Sequence, residues 1–129
     1  MNEARFEVRL DPEAVKEYQK LDNSVVKLVN KAIDELEYRA DEVGKKLQNK
    51  ENTKLSGCKE IKLRDAGIRI IFIVTDQVVN ILKIVYVIAI EKRNRDKVFK
   101  VAARRYSELS LEDSLTKNEK QWSDSKKVK

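Results

Sequence analysis

The chain has 129 residues, 39% of them charged, and a formal net charge of +6. That length suits one domain with one core, and a hydrophobic content of 41% does not fit a disordered chain. With no His and one cysteine, Cys58, the sequence excludes an internal disulfide, a Ser-His-Asp triad and any zinc site that needs His or several Cys.

The N-terminal part predicts one strand followed by two antiparallel helices. Apolar and charged residues alternate over 6–10, the period of a half-buried strand. Asp11 and Pro12 suit the beginning of a short first helix. A second helix follows, with a cap among residues 22–24 and an apolar stripe that extends to about residue 47. The residues of this stripe recur at spacings of three and four: Val26, Val29, Ile33, Leu36, Ala40, Val43 and Leu47.

A β-hairpin is predicted next. Residues 58–64 alternate in polarity, 65–67 read Asp-Ala-Gly as a turn, and 68–74 form the returning strand. With a four-residue loop over 65–68, Arg64 would pair with Arg69. Lys62 would then share the face of Arg69.

The C-terminal part predicts a second turn at 75–77, a strand over 78–90 that is covered on both faces, and a helix from Asn94. The predicted order is β-α-α-β-β-β-α, an α+β fold with its helices on one side of the sheet. The N-terminus lacks an apolar signal-peptide core, and polar residues interrupt the longest apolar region. We therefore expect a cytoplasmic protein without a membrane span.

The excess positive charge lies in one stretch. Residues 92–105 contain seven Lys or Arg and one Asp, whereas residues 1–91 contain sixteen of each sign. A concentrated basic segment predicts a polyanionic partner such as nucleic acid, and a solvated helix face is the alternative.

Four short motifs follow one another along this strand pattern: Lys-Leu-x-Gly at 54–57, Ile-Lys-Leu-Arg at 61–64, Gly-x-Arg at 67–69, and Lys92-Arg93 with Phe99 six residues later. Together they resemble the RelE/ParE superfamily of bacterial type II toxin–antitoxin toxins, over residues 3–106. The resemblance implies a toxin domain at 1–106, in which a helical hairpin packs on a twisted antiparallel sheet with a basic concave face. Residues 107–129 remain as a polar extension, either one weak helix or disordered.

The superfamily contains two activities. RelE-like members cut mRNA in the ribosomal A site, and ParE-like members bind DNA gyrase. Residues that match Lys62, Arg69 and Arg93 line the RNA-cleaving site, so the resemblance favours an mRNA interferase that acts without a metal or cofactor. Such cleavage needs an aligned 2′-OH, stabilisation of the phosphorane charge and a proton for the 5′-oxygen. The planar fork of Arg suits phosphate because it donates two parallel hydrogen bonds.

Two residues depart from the pattern of RelE-like members. Glu60 stands where they have a Lys proposed as general base, so Glu60 is either a carboxylate base or an ion-pair partner of Lys62 or Arg64. Phe99 stands where they have a Tyr, and a Phe ring can stack on a base but has no hydroxyl.

The resemblance and the clustered charge together predict the partners. We expect a cognate antitoxin, mRNA and the rRNA of the 70S ribosome, with DNA gyrase as the alternative. A catalytically weakened member that acts as a binding module is the third hypothesis. The cations expected to contact RNA or the ribosome are Arg64, Lys92, Arg95, Lys97, Lys100, Arg104 and Arg105.

Overall fold

The strands of this protein form one sheet that is covered on both faces. The computed structural model describes residues 4–49, 54–79, 82–91 and 95–108. A 3-10 turn over Arg64–Ala66 joins β3 to β4. The other elements, in chain order, are β1 (Phe6–Leu10), α1 (Pro12–Gln19), α2 (Asn23–Arg39), β2 (Lys45–Lys46), β3 (Lys59–Leu63), β4 (Ile68–Val79), β5 (Leu82–Glu91) and α3 (Arg95–Glu108).

The strand order across the sheet is β1-β5-β4-β3-β2. β2, β3, β4 and β5 pair antiparallel, and β1 pairs parallel to β5, with Val8 opposite Val85. The predicted α+β class and the helical hairpin on the sheet are confirmed. The sheet is mixed rather than wholly antiparallel, because the helical hairpin returns the chain so that β5 runs beside β1 in the same direction.

Helices cover both faces, so the prediction of helices on one side was wrong. On one face α1 and α2 pack over a core that includes Leu10, Ile33 and Phe72. On the other face α3 lays Val98 and Ala102 over a second core. β5 supplies both cores and is buried at every position from 84 to 90, as predicted for a strand covered on both faces.

The second helix is shorter than its apolar stripe predicted. α2 ends at Arg39, and Lys59 Nζ donates a hydrogen bond of 3.1 Å to the carbonyl oxygen of Ala40, just beyond the helix. Gly44 then adopts a φ of +83°, which ends the run and lets β2 begin. Val43 packs against the first core and Leu47 against the second, so these two residues do not share a helix face.

The turn predicted at 75–77 is a register shift within β4. The strand continues to Val79, and its pairing with β5 shifts between Val74 and Val78. Thr75 stabilises the irregularity because its buried hydroxyl donates to the carbonyl oxygen of Ile84 at 2.8 Å and accepts from the backbone N–H of Gln77 at 3.2 Å.

An ion pair extends the edge of β5 beyond β1. The parallel pairing with β1 ends at Val87. Beyond it, the Glu17 carboxylate accepts from the backbone N–H of Ile90 at 3.0 Å, and Arg105 donates to the carbonyl oxygen of Ile88 at 3.0 Å. Arg105 also holds Glu17 with two hydrogen bonds, of 2.9 and 2.8 Å. The pair therefore joins α1, β5 and α3.

The C-terminal extension begins within α3, which continues to Glu108. The weak helix proposed for the extension falls on residues 110–121, outside the described residues. Within the described ranges, no helix is long and apolar enough to cross a membrane.

We expect Gly44→Ala to lower the free energy of unfolding by about 2–4 kcal/mol. The left-handed conformation costs an L residue roughly 1–2 kcal/mol, and a Cβ at this position would lie 3.1 Å from the carbonyl oxygen of Glu60 and 3.2 Å from the Phe72 ring. Gly67→Ala is the matched control, because Gly67 has a φ of +67° and nothing within 4 Å of the added Cβ. Urea denaturation measures both, and equal losses would contradict the crowding at Gly44.

Burial raises the pKa of Glu17 from 4.5 to about 7, against the opposing effect of Arg105 and the N–H of Ile90. The native state therefore holds this proton at pH values where the unfolded chain has released it. The contribution of Glu17 to stability is present at acidic pH and is lost as pH rises from about 4.5 to 7. Glu17→Gln should flatten that part of the stability profile in urea titrations between pH 4 and 8. An unchanged slope would contradict the raised pKa.

Candidate active site

The hairpin of β3 and β4 places Lys62 directly opposite Arg69. The expected register paired Arg64 with Arg69, but the turn takes Arg64 out of β3 and Leu63 pairs with Ile68 instead. This differs from the expectation by two residues, and an even shift leaves every side chain on its predicted face. Lys62 and Arg69 therefore share the sheet face that carries α3.

Glu60 lies on the same face and bridges the two cations. Its carboxylate Oε2 is 2.7 Å from Arg69 Nη1, and its Oε1 is 4.0 Å from Lys62 Nζ. Glu60 is 3% exposed, one of the few charged residues buried in the described part of the chain. The ion-pair alternative for Glu60 thus matches the geometry, with Arg69 rather than Arg64 as the main partner. A role as general base fits poorly, because a substrate proton cannot reach a carboxylate buried beneath Arg69.

A surface depression of about 450 Å³ opens beside this pair. Arg69 retains 22% and Lys62 37% of its side-chain exposure, so both cations reach solvent there. The turn residue Arg64 is also exposed and lines the same depression with Gly67. Three cations and the backbone of a tight turn thus surround a space that suits an anionic group.

Phe99 does not lie on this open surface. It is 6% exposed and packs within the second core beside Val98 and Ala102. A ring at this depth has no free face for a nucleotide base, so the expected stacking role does not fit its position. Tyr106, two turns further along α3, donates from its hydroxyl to the carbonyl oxygen of Ser56 at 3.3 Å.

The cations of α3 have different environments. Lys100 and Arg104 are exposed and four residues apart, so both project from the solvent side of the helix. Arg105 is 11% exposed and is held by Glu17, so its expected contact with RNA does not fit this position. Arg95 and Lys97 belong to α3, and their side chains are outside the described part of the structure. Lys92 and Arg93 likewise fall outside the described residues.

One cation on the site's face was missed by the sequence reasoning. Lys45 in β2 pairs with Glu60, and residues directly opposite in an antiparallel pair share a face. Its side chain is exposed. The extended helix prediction concealed β2, and Gly44 was the signal in the sequence that the helix had already ended.

The remaining nucleophile and metal candidates are not suited to chemistry here. Cys58 is 1% exposed, and burial raises the pKa of its thiol to about 12, so it would not be a thiolate near neutral pH. Across the described residues, no group of three or more Cys, Asp or Glu side chains is placed to hold a metal ion.

Comparison with known proteins supports the resemblance. A putative RelE-like toxin protein from Escherichia coli is 30% identical over 101 residues, which cover 78% of this chain and 97% of that protein. The mRNA interferase toxin RelE of Escherichia coli K12 is 32% identical over 95 residues, covering 74% of this chain and 90% of that protein. No protein-family model matches the chain.

Solved structures agree with the fold. A mutant of E. coli toxin RelE in the free state matches with a TM-score of 0.57 and 28% identity, over 80% of this chain and 98% of that one. The toxin chain of the intact E. coli RelBE toxin–antitoxin complex matches with a TM-score of 0.52 and 28% identity, over 70% of this chain and 99% of that one. The helical hairpin on a mixed sheet matches these structures, so the chain has a RelE-type toxin fold. The chain belongs to the RelE-like toxins.

We expect Phe99→Ala to lower the free energy of unfolding by about 3–5 kcal/mol, because truncating a buried aromatic side chain leaves a cavity. The neighbouring exposed residue provides the control, and Lys100→Ala should change stability by about 0.5 kcal/mol or less. Thermal and urea unfolding measure both variants. A Phe99→Ala protein as stable as wild type would contradict the placement of this ring in the core.

Proposed function

We propose that this toxin is an mRNA endoribonuclease that acts on the 70S ribosome in the cytoplasm. The observation that carries the proposal is the cross-strand pair of Lys62 and Arg69 beside an open depression. Two cations held together on a hairpin suit an anionic group such as a phosphodiester. The similarity to the mRNA interferase toxin RelE supports the same assignment.

In the proposed reaction, the 2′-oxygen of one nucleotide bonds to the adjacent phosphorus as its proton passes to solvent, and the bond from phosphorus to the 5′-oxygen breaks. The products are a 2′,3′-cyclic phosphate and a 5′-hydroxyl, which takes its proton from solvent. Before the 5′-oxygen leaves, negative charge develops on the phosphorane oxygens. Arg69 would donate from its guanidinium to one or two of these oxygens, and Lys62 would place its ammonium against the same group. Arg93, which the family resemblance adds to the site, would supply a further cation.

The proposed contribution of the described residues is positioning and charge. Glu60 is buried in an ion pair and Phe99 is buried in the core, so neither is assigned proton transfer or base stacking. Alignment of the 2′-OH would then depend on the ribosome and on the phosphate contacts, which is a reason for cleavage to require a translated message.

The ribosome contacts are proposed from the exposed cations. Arg64, Lys100 and Arg104 are exposed, and the sequence adds Lys92, Arg95 and Lys97 to the same basic segment. Contacts of this kind bind rRNA phosphates without reading sequence. A cognate antitoxin is proposed as the second partner, since an E. coli relative is known in a RelBE toxin–antitoxin complex. An acidic antitoxin segment that covers the hairpin face would complement its charge.

A second candidate is a catalytically weakened toxin that acts by binding. It is favoured by one observation, the use of Arg69 Nη1 by Glu60 in the absence of substrate. Such a protein would bind the ribosome with the same cations and leave the message intact. Sedimentation with ribosomes, combined with primer extension on the bound message, separates the two candidates.

Arg69→Ala should reduce mRNA cleavage about 100-fold and relieve growth inhibition on induction, because it removes the main phosphate donor of the hairpin. Primer extension on translated mRNA measures cleavage, and cell density measures toxicity. Arg39→Ala, at an exposed Arg of α2 paired with Glu35 at 3.2 Å, should behave as wild type. An Arg69→Ala protein as toxic as wild type, without codon-associated cuts in either, would overturn the proposal.

A further inference from the structure

Two like charges lie directly opposite each other on the hairpin face, in the Lys62–Arg69 pair. Cations at directly opposed positions of a sheet repel each other and weaken the pairing of their strands. In this protein a carboxylate lies between them, with one oxygen 2.7 Å from Arg69 Nη1 and the other 4.0 Å from Lys62 Nζ. Glu60 therefore compensates both charges from within the sheet.

The bond to Glu60 also fixes the direction of the Arg69 side chain. A long, rotamer-rich arginine on an open surface loses conformational entropy when it binds a ligand. Among the side-chain hydrogen bonds of the described residues, Arg69 makes one, from Nη1 to Glu60. Arg69 also lines the depression, together with Lys62 and Arg64. The guanidinium carries further N–H donors besides Nη1, and its planar fork suits phosphate.

We propose that Glu60 is a positioning residue of the cleavage site, which holds the Arg69 guanidinium in place for the scissile phosphate. It acts through Arg69 and exchanges no proton with the substrate. The expected effect of Glu60 on cleavage rests on the proposed function. The expected effect of Glu60 on the position of the Arg69 side chain rests on the Glu60–Arg69 bond alone.

Five proteins test the cleavage effect on programmed ribosomes: wild type, Glu60→Gln, Glu60→Ala, Arg69→Ala and the Glu60→Ala/Arg69→Ala double variant. Glu60→Ala should lower kcat about tenfold with little change in KM. Glu60→Gln keeps an oxygen that accepts from Arg69, so it should retain at least about a third of wild-type kcat with the same pH profile. In the Arg69→Ala background, Glu60→Ala should have no further effect.

Three cleavage results would overturn the inference. If Glu60 is a general base, Glu60→Gln will be as inactive as Glu60→Ala and will lose a limb of the pH–rate profile. If Glu60 instead restrains the toxin by occupying Arg69, Glu60→Ala will cleave faster than wild type. If Glu60 acts on stability alone, the two single losses will multiply in the double variant. Glu35→Ala, in the exposed ion pair of α2, is the matched control and should leave cleavage unchanged.

A readout that does not need cleavage separates this inference from the proposed function. The Arg69 Nη1–Hη signal reports the bond itself, because Nη1 is the atom that donates to Glu60. In ¹⁵N NMR spectra this signal is identified by its loss in Arg69→Lys. It should be sharp in wild type and in Glu60→Gln, and broadened by exchange with water in Glu60→Ala. A sharp signal in Glu60→Ala would overturn the positioning role. If wild type does not cut ribosome-bound mRNA but this pattern holds, the proposed function fails while the role of Glu60 in holding Arg69 stands.

Discussion

Burial of β5 on both faces is the constraint on which the rest of this structure depends. A strand that is apolar at consecutive positions must be covered by two layers, and here α1 and α2 supply one and α3 the other. The register of β4 on β5 is set by this central strand, and the register of β3 is set by β4. The core thus holds the hairpin that carries Lys62 and Arg69. Of the charged residues of this hairpin, Glu60 is the buried one.

The two cores also explain the position of α3. The helix lays Val98, Phe99 and Ala102 on the sheet, and the Glu17–Arg105 pair joins it to α1 at the edge of β5. Arg105 donates to the carbonyl oxygen of Ile88, which β1 does not reach, so this residue of the basic segment has a structural role. The exposed cations of α3 remain on the outside of the helix, where an RNA surface can meet them.

Local patterns in the sequence were sufficient for β1, β3 and the hairpin face, where polarity alternates with period two. They were also sufficient for the beginning of the first helix. The helical cap at Asp11 was also readable, and its carboxylate accepts from the N–H of Glu13 at 2.9 Å. Three features depend on tertiary contacts and escaped prediction. Val43 and Leu47 continue a helical spacing although α2 ends at Arg39. Residues 75–77 continue β4 through a register shift instead of forming a turn. The burial of Phe99 depends on which helix covers the second face.

One residue of the site, Glu60, is acidic and lies on the same sheet face as the cations Lys62 and Arg69. This acidic residue has a physical function. Glu60 offsets the repulsion between Lys62 and Arg69, and the family resemblance alone gave no indication of which cation it would contact.

The proposed phosphate site beside Lys62 and Arg69 is tested most directly by a cryo-EM structure of the toxin on a 70S ribosome, with an uncleavable 2′-deoxy message in the A site. We expect the scissile phosphate to lie within about 3 Å of Arg69 donor nitrogens, with Glu60 still bonded to Nη1. A message bound elsewhere on the toxin, with the depression beside Lys62 and Arg69 unoccupied, would contradict the proposed phosphate site.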